Sequence, residues 1–367
     1  MTTTDSEQFR IGVLAPGSNF VPMLASDMLA ALKFGLAEAR LTTELIIESA
    51  GYNADSYLVI PKVQQMILAQ RVSCIIAPLN VAMIEKLTPH CASQCIPLIA
   101  LNLTEDPLVV TSQNPFVFVN SFHLWQTAWL SGYLAAQRFG PRGATAVALH
   151  EGGYGLAFAF QLGLEAAQGT LVKAVITHQK SSQEDPTESL AALAAAEPDF
   201  IWAGYSGKEA ISFLNAYKAV GLSHIPLIGL VPLATPQIRK VASEAVQGIY
   251  FVTNAAERSQ ALTQAVGKVP NPYSILAYEA AHLIAAAVHN ESQDFTASLR
   301  QAAFEGPRGL IRFDNGEFPA LKFALHQVTS GEDVREEFSA PALLHEQYQL
   351  ACQKLPKQGW VNPYLCA

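Results

Sequence analysis

The chain has 367 residues, half of them hydrophobic and 15% charged, which describes a compact folded protein with room for two domains rather than a disordered one. A formal charge of −8 without a basic run excludes nucleic acid and anionic membrane surfaces as partners. No apolar run reaches the ~18–20 residues that span a bilayer.

The elements read in chain order as strand, helix, strand. Phe9-Arg-Ile-Gly-Val-Leu-Ala-Pro-Gly-Ser18 opens the series, and Glu44-Leu-Ile-Ile-Glu48, Val72-Ser-Cys-Ile-Ile-Ala-Pro78 and Ile96-Pro-Leu-Ile-Ala-Leu-Asn102 follow, separated by helical stretches. Strands alternating with helices predict a parallel sheet, whose ligands bind outside the carboxyl ends of the strands. After Phe116-Val-Phe-Val119, the segment Asn120-Ser-Phe-His-Leu-Trp125 reads as a crossing, and a second series begins. Its strands are Thr145–His150, Leu171–Ile176, Asp199–Ala203 and Pro226–Gly229, with helices near 155–168, from Pro186 to Ala196, and up to Gly221. Gly248-Ile-Tyr-Phe-Val252 is expected to return toward the first half, and Tyr273–Asn290 to form a long helix. Gly309–Asp314 with Gly316 predicts a strand entering a hairpin whose partner is Leu321–Val328. The expected division is a first lobe of residues 9–120 plus 250–325 and a second of 121–249 plus 326–367, with a ligand cleft between them.

Several short phrases carry a family likeness together: Ile11-Gly-Val-Leu-Ala-Pro16, Val72 to Pro78, Ile96-Pro-Leu-Ile99, Tyr154-Gly155 after a strand, Ala277-Tyr-Glu-Ala-Ala-His282, and Phe304-Glu-Gly-Pro-Arg-Gly-Leu-Ile-Arg-Phe313. In that order and spacing the chain resembles the type 1 periplasmic solute-binding proteins, in particular the leucine/isoleucine/valine-binding branch. The resemblance implies an α/β fold of two Rossmann-like lobes joined by a multi-strand hinge with three crossings. It also implies a small-molecule ligand captured by hinge closure and delivery to an ABC permease. A monomer without enzymatic activity is expected. A cytosolic ligand sensor controlling a regulatory partner is the alternative on the same fold. The polar N-terminus has no basic or apolar leader region, so the expectation divides: periplasmic or extracellular if a leader was removed, cytoplasmic otherwise.

The family's amino-acid binders hold the ligand carboxylate with a Ser and a Thr hydroxyl and pair its ammonium with an acid from the second lobe. By motif position the Ser falls at Val81 and the Thr at Thr104, while the acid falls at or near Val231. Glu209 is the nearest substitute, and a solvent-facing place on a helix is expected for it. A ligand without an α-ammonium fits better: a small carboxylate, an aromatic acid or a neutral amide.

The candidate ligand residues are Ser18, Asn19, Asn80, Asn102, Thr104, Phe122, Tyr154 and Tyr205. Ser18, Asn19 and Asn80 follow strands and either donate to the ligand or cap the next helix. Asn102 and Thr104 either meet the ligand or bond within their loop. Phe122 lies at the crossing, where lining the cleft competes with ordinary packing. Tyr154 and Tyr205 sit in turns after second-lobe strands, where a ring with one polar tip suits a small ligand.

No catalytic residue, metal site or cofactor is expected: nucleophile-elbow, phosphate-loop, dinucleotide and zinc-helix motifs are all missing, and nine His residues lack metal spacing. Of five cysteines, Cys74 reads as a core residue, and Cys91 and Cys95 have no partners for a metal. Cys352 and Cys366 either pair or stay free.

Overall fold

The computed structural model describes residues 9–18, 23–51, 56–104, 107, 114–148, 154–177, 186–254, 259–290, 294–313 and 322–354. Two sheets organise the chain. The first takes the strands in the order β2-β1-β3-β4-β5, all parallel: β1 is Arg10–Pro16, β2 Glu44–Gly51, β3 Cys74–Pro78, β4 Leu98–Asn102 and β5 Val117–Ser121. Every residue of β3, β4 and β5 is buried, which is why these segments read as unbroken apolar runs instead of alternating ones.

The second sheet repeats the plan. β6 (Arg142–Ala148), β7 (Thr170–Thr177), β8 (Phe200–Gly204), β9 (Leu227–Gly229) and β10 (Tyr250–Asn254) lie in the order β7-β6-β8-β9-β10. Two antiparallel strands, β13 (Lys322–Gln327) and β14 (Val334–Ser339), extend it beyond β10. Each lobe therefore reverses its winding once, between β1 and β3 in the first and between β6 and β8 in the second. Ligands of open parallel sheets sit at such reversals.

Helices fill the returns. In the first lobe these are α1 (Leu24–Glu38), α2 (Ser56–Leu68) and α3 (Val81–Ala92). The second has α4 (Leu124–Phe139), α5 (Tyr154–Ala166), α6 (Thr187–Ala194), α7 (Gly207–Ala219) and α8 (Pro236–Val241). The chain then recrosses: α9 (Gln260–Val266) and α10 (Pro272–His289) pack on α1, and α11 (Phe295–Gln301) packs on α10. The last helix, α12 (Ala342–Lys354), lies on α4, where Gln347 accepts a hydrogen bond from the Trp129 indole at 2.6 Å and Tyr348 meets Trp125 edge to face at 5.3 Å.

α4 and α5 touch backbone to backbone. A Cβ on Gly163 would lie 1.9 Å from the Trp129 carbonyl oxygen, and one on Gly132 2.1 Å from that of Phe160, so neither position has room for a side chain.

Two expectations change. Gly248–Val252 does give a strand, but β10 pairs parallel to β9 in the second sheet, so the return to the first lobe follows Asn254 instead of residue 250. Residues 322–325 likewise pair in the second sheet, as part of β13. The expected hairpin is also different. β12 (Gly309–Ile311) pairs with β11 (Phe304–Gly306), not with the strand after residue 321. The local turn wins: Gly306-Pro307-Arg308-Gly309 closes a two-residue loop, with Gly309 at φ +87°, a conformation only glycine adopts freely. Asp314 and Gly316 lie outside the described residues. The chain thus passes between lobes three times, after β5, β10 and β12.

Candidate functional site

The first-lobe candidates gather at the carboxyl ends of its strands. Ser18 follows β1 and is buried, whereas Asn19 lies outside the described residues. Asn80 follows β3 and caps α3, its side-chain oxygen accepting from the Met83 N–H at 2.8 Å. That fixes one end of the amide and leaves the NH2 group as the part able to meet a ligand.

Asn102 ends β4 fully buried. Its amide donates to the Leu79 carbonyl at 2.6 Å, and its oxygen accepts the Thr104 N–H at 2.6 Å. Both ends are committed, so Asn102 shapes the loops after β3 and β4. Thr104 adopts φ +58°, left-handed backbone that a β-branched residue rarely takes. Among the described non-glycine residues only Thr104 and His123, at φ +56°, hold this conformation at strand ends; the other cases follow helices. Strain of this kind persists where the surroundings over-determine it, and it clusters at ligand sites.

The surroundings here are a hydroxyl relay. The Thr104 and Ser121 hydroxyls share a hydrogen bond, and Ser121 Oγ also accepts the His123 N–H at 3.0 Å. With a donor already on it, Ser121 can give its own proton to Thr104, which frees the Thr104 proton for a ligand oxygen. The Leu124 and Trp125 N–H groups donate to the Leu103 and Thr104 carbonyls at 2.9 Å each, tying the start of α4 to the first lobe. Phe122 is buried, with the Arg308 guanidinium 5.4 Å from its ring centre. Burial, reinforced by the Arg308 charge, holds the His123 imidazole well below its ordinary value, so it is neutral at pH 7.

The second lobe presents a different surface. Tyr205 follows β8, is buried, and stacks on Phe213 with ring centres 4.2 Å apart. Its oxygen accepts from the Thr177 hydroxyl at 3.3 Å. Burial raises the Tyr205 phenol, against the Thr177 hydrogen bond and with the Glu209 charge adding to the rise. Tyr154 begins α5. Val81 opens α3 and Val231 follows β9, both half-buried, and neither brings a charge. Glu209 differs from the solvent-facing expectation: it is half-buried in the first turn of α7, close enough for its charge to act on Tyr205.

Sequence reasoning missed the group beneath this cluster. Arg308, Glu279, Asn120 and Ser121 are all buried and bonded to one another. A signal was present: Glu279 stands among alanines and leucines on the apolar face of α10, and a carboxylate there demands a partner. Among the described residues, no three or more His, Cys, Asp or Glu side chains come together as a metal site, and no helix is long and apolar enough to cross a membrane. Cys352 carries a thiol that burial pushes up to about 11, and Cys366 lies outside the described residues.

Two repeated parallel sheets, three crossings and polar groups at the strand reversals define a two-lobed solute-binding protein of the type 1 class. The chain belongs to the periplasmic binding protein family, whose profile matches residues 8–333. No curated protein matches the sequence. Among solved structures, an ABC transporter substrate-binding protein from Sphaerobacter thermophilus is 21% identical with a TM-score of 0.76, over 91% of this chain and 97% of that one. An ABC transporter solute-binding protein from R. palustris in complex with benzoate is 20% identical with a TM-score of 0.69, over 89% and 95%. A branched-chain amino acid transporter substrate-binding protein from Streptococcus pneumoniae, in complex with isoleucine, is 14% identical with a TM-score of 0.73, over 91% and 100%. The expected fold and family are thereby met.

Proposed function

We propose that this protein captures a small carboxylate solute between its lobes by hinge closure and hands it to an ABC permease, acting as a monomer outside the cytoplasmic membrane. The observation that carries the reading is the Thr104–Ser121 hydroxyl pair, held on strained backbone at the ends of β4 and β5. Ser18 and the Asn80 amide flank the reversal between β1 and β3, the latter next to β4, and complete a polar grip. Tyr154 and Tyr205 close from the second lobe, giving ring area against an apolar body. Closure follows if the ligand touches both lobes and so binds the closed state better than the open one.

The ligand we favour is an aromatic or other small acid without an α-ammonium. Val81 replaces the expected hydroxyl and Val231 the expected acid. An ammonium desolvated without a partner costs about 3–5 kcal/mol, two to three orders of magnitude in affinity. The R. palustris relative's benzoate and the S. pneumoniae relative's isoleucine mark the two poles of the choice.

A calorimetric panel of benzoate, hydroxybenzoates, aliphatic acids, small amides and the branched-chain amino acids tests this. The expected result is micromolar or tighter binding of an aromatic acid, with leucine, isoleucine and valine at least a hundred-fold weaker. Submicromolar binding of a branched-chain amino acid that is lost in Glu209→Gln would overturn the ligand class and identify Glu209 as the substitute acid.

A further inference from the structure

Next to the proposed grip lies an ion pair closed off from solvent. Arg308 occupies the turn between β11 and β12, and Glu279 sits in the middle of α10, with side chains 1% and 0% exposed. The guanidinium is almost fully engaged. Its Nε donates to Glu279 at 2.8 Å, one terminal nitrogen donates to the Ser121 carbonyl at 2.7 Å, and the other donates to Asn120 at 3.0 Å and to the second Glu279 oxygen. Asn120 donates in turn to the Leu276 carbonyl at 2.9 Å and to Glu279 at 3.0 Å. Three segments, β5, α10 and the β11–β12 turn, therefore meet at the last two residues of β5, where the chain leaves the first lobe.

We infer that Arg308, oriented by Glu279, is a positioning residue for ligand binding. Gripping the Ser121 carbonyl fixes the peptide whose side chain carries the relay, so Ser121 Oγ stays within reach of both Thr104 and the His123 N–H. The guanidinium over Phe122 fixes the residue that follows. A Lys could supply the charge but not the planar fork that holds Glu279, Asn120 and the carbonyl at once. The inference rests on the reading that Thr104 meets the ligand, and the test separates the two.

A buried ion pair replaced by apolar side chains of similar volume often keeps or gains stability. The double variant Arg308→Met/Glu279→Leu is therefore compared with the wild type by thermal unfolding and by calorimetry, with benzoate as first probe and the tightest carboxylate of the panel as second. The expected result is a folded protein whose affinity falls about ten-fold or more, the loss of one well-placed charged hydrogen bond. In a Thr104→Val background the same two substitutions should cost less than about three-fold further, because the group they position is already gone. Unchanged affinity in the folded double variant would overturn the inference, as would a full ten-fold loss added on top of Thr104→Val. A Thr104→Val variant that binds as the wild type would instead overturn the grip itself. If the double variant does not fold, Arg308→Lys is read in the same assays, and wild-type affinity there refutes the positioning role.

Discussion

The carboxyl ends of the two sheets share a strand order and differ in the side chains that the described residues place there. In the first lobe they are a hydrogen-bonded lattice: Asn102, Thr104, Ser121 and Arg308 are buried and joined to each other or to neighbouring backbone. Among the described residues of the second, Tyr205 stacks on Phe213 and Leu230 and Val231 follow β9, beside the buried polar Ser206 and Asn254. A parallel sheet supplies the location of a site, while the residues just past each strand supply its character. The first lobe's polar groups are bonded to one another, and the second lobe offers aromatic and aliphatic area. Orientation should come from the first lobe, and the shape of the apolar end from the second.

The largest expected effect breaks the lattice. Arg308→Met alone leaves Glu279 buried and unpaired and should cost about 3–5 kcal/mol in urea unfolding. A loss below about 1 kcal/mol would show the lattice to be far softer than its bonding suggests. Next comes Thr104→Val, which strands the buried Ser121 hydroxyl, should cost about 1–3 kcal/mol in unfolding, and should weaken a carboxylate ligand by about 1.5–3 kcal/mol, roughly ten-fold or more. Tyr205→Phe keeps the ring stack and removes only the hydroxyl, so its effect on affinity should stay within about 0.5–1.5 kcal/mol. If Tyr205→Phe proved costlier than Thr104→Val, the roles assigned to the lobes would be reversed.

The smallest effect is on pH. His123 titrates well below its ordinary value of 6.5 when folded, so below that value the unfolded chain takes up a proton that the folded chain refuses. Stability should therefore fall as pH drops through 6.5, with a slope from this group of at most about 1.4 kcal/mol per pH unit. The charged group that faces it is Arg308, which opposes protonation as burial does. His123→Asn, tolerant of left-handed backbone, should flatten that limb in thermal scans between pH 7 and 5. An unchanged slope would place the acid sensitivity elsewhere, at His282 for instance, which burial also lowers despite its contact with Glu38.

The fold was legible because parallel strands buried on both faces leave unbroken apolar runs; Cys74–Pro78 and Leu98–Asn102 could hardly be anything else. The turn residues after them, Asn80 and Thr104, were legible for the same reason. The β11–β12 hairpin was misread because Gly306-Pro-Arg-Gly309 and the acidic-Gly stretch after residue 313 are both turn signals, and only the competition between them selects the partner strand. The lattice was illegible because its members meet through the fold: Arg308 and Ser121 are 187 residues apart. Sequence order also could not divide the roles of Asn102 and Thr104, since both follow the same strand and only geometry shows that one amide is committed at both ends.

The seam between α4 and α5 has a consequence for how the molecule can deform. Where side chains interlock, two helices can slip past one another by exchanging rotamers. Gly132 and Gly163 have no side chains to exchange, and the backbones already meet. Sliding there would drive carbonyl oxygen into main chain at once, so that route has no soft coordinate. Shear between α4 and α5 is thus disfavoured, and this helix pair should move as one block.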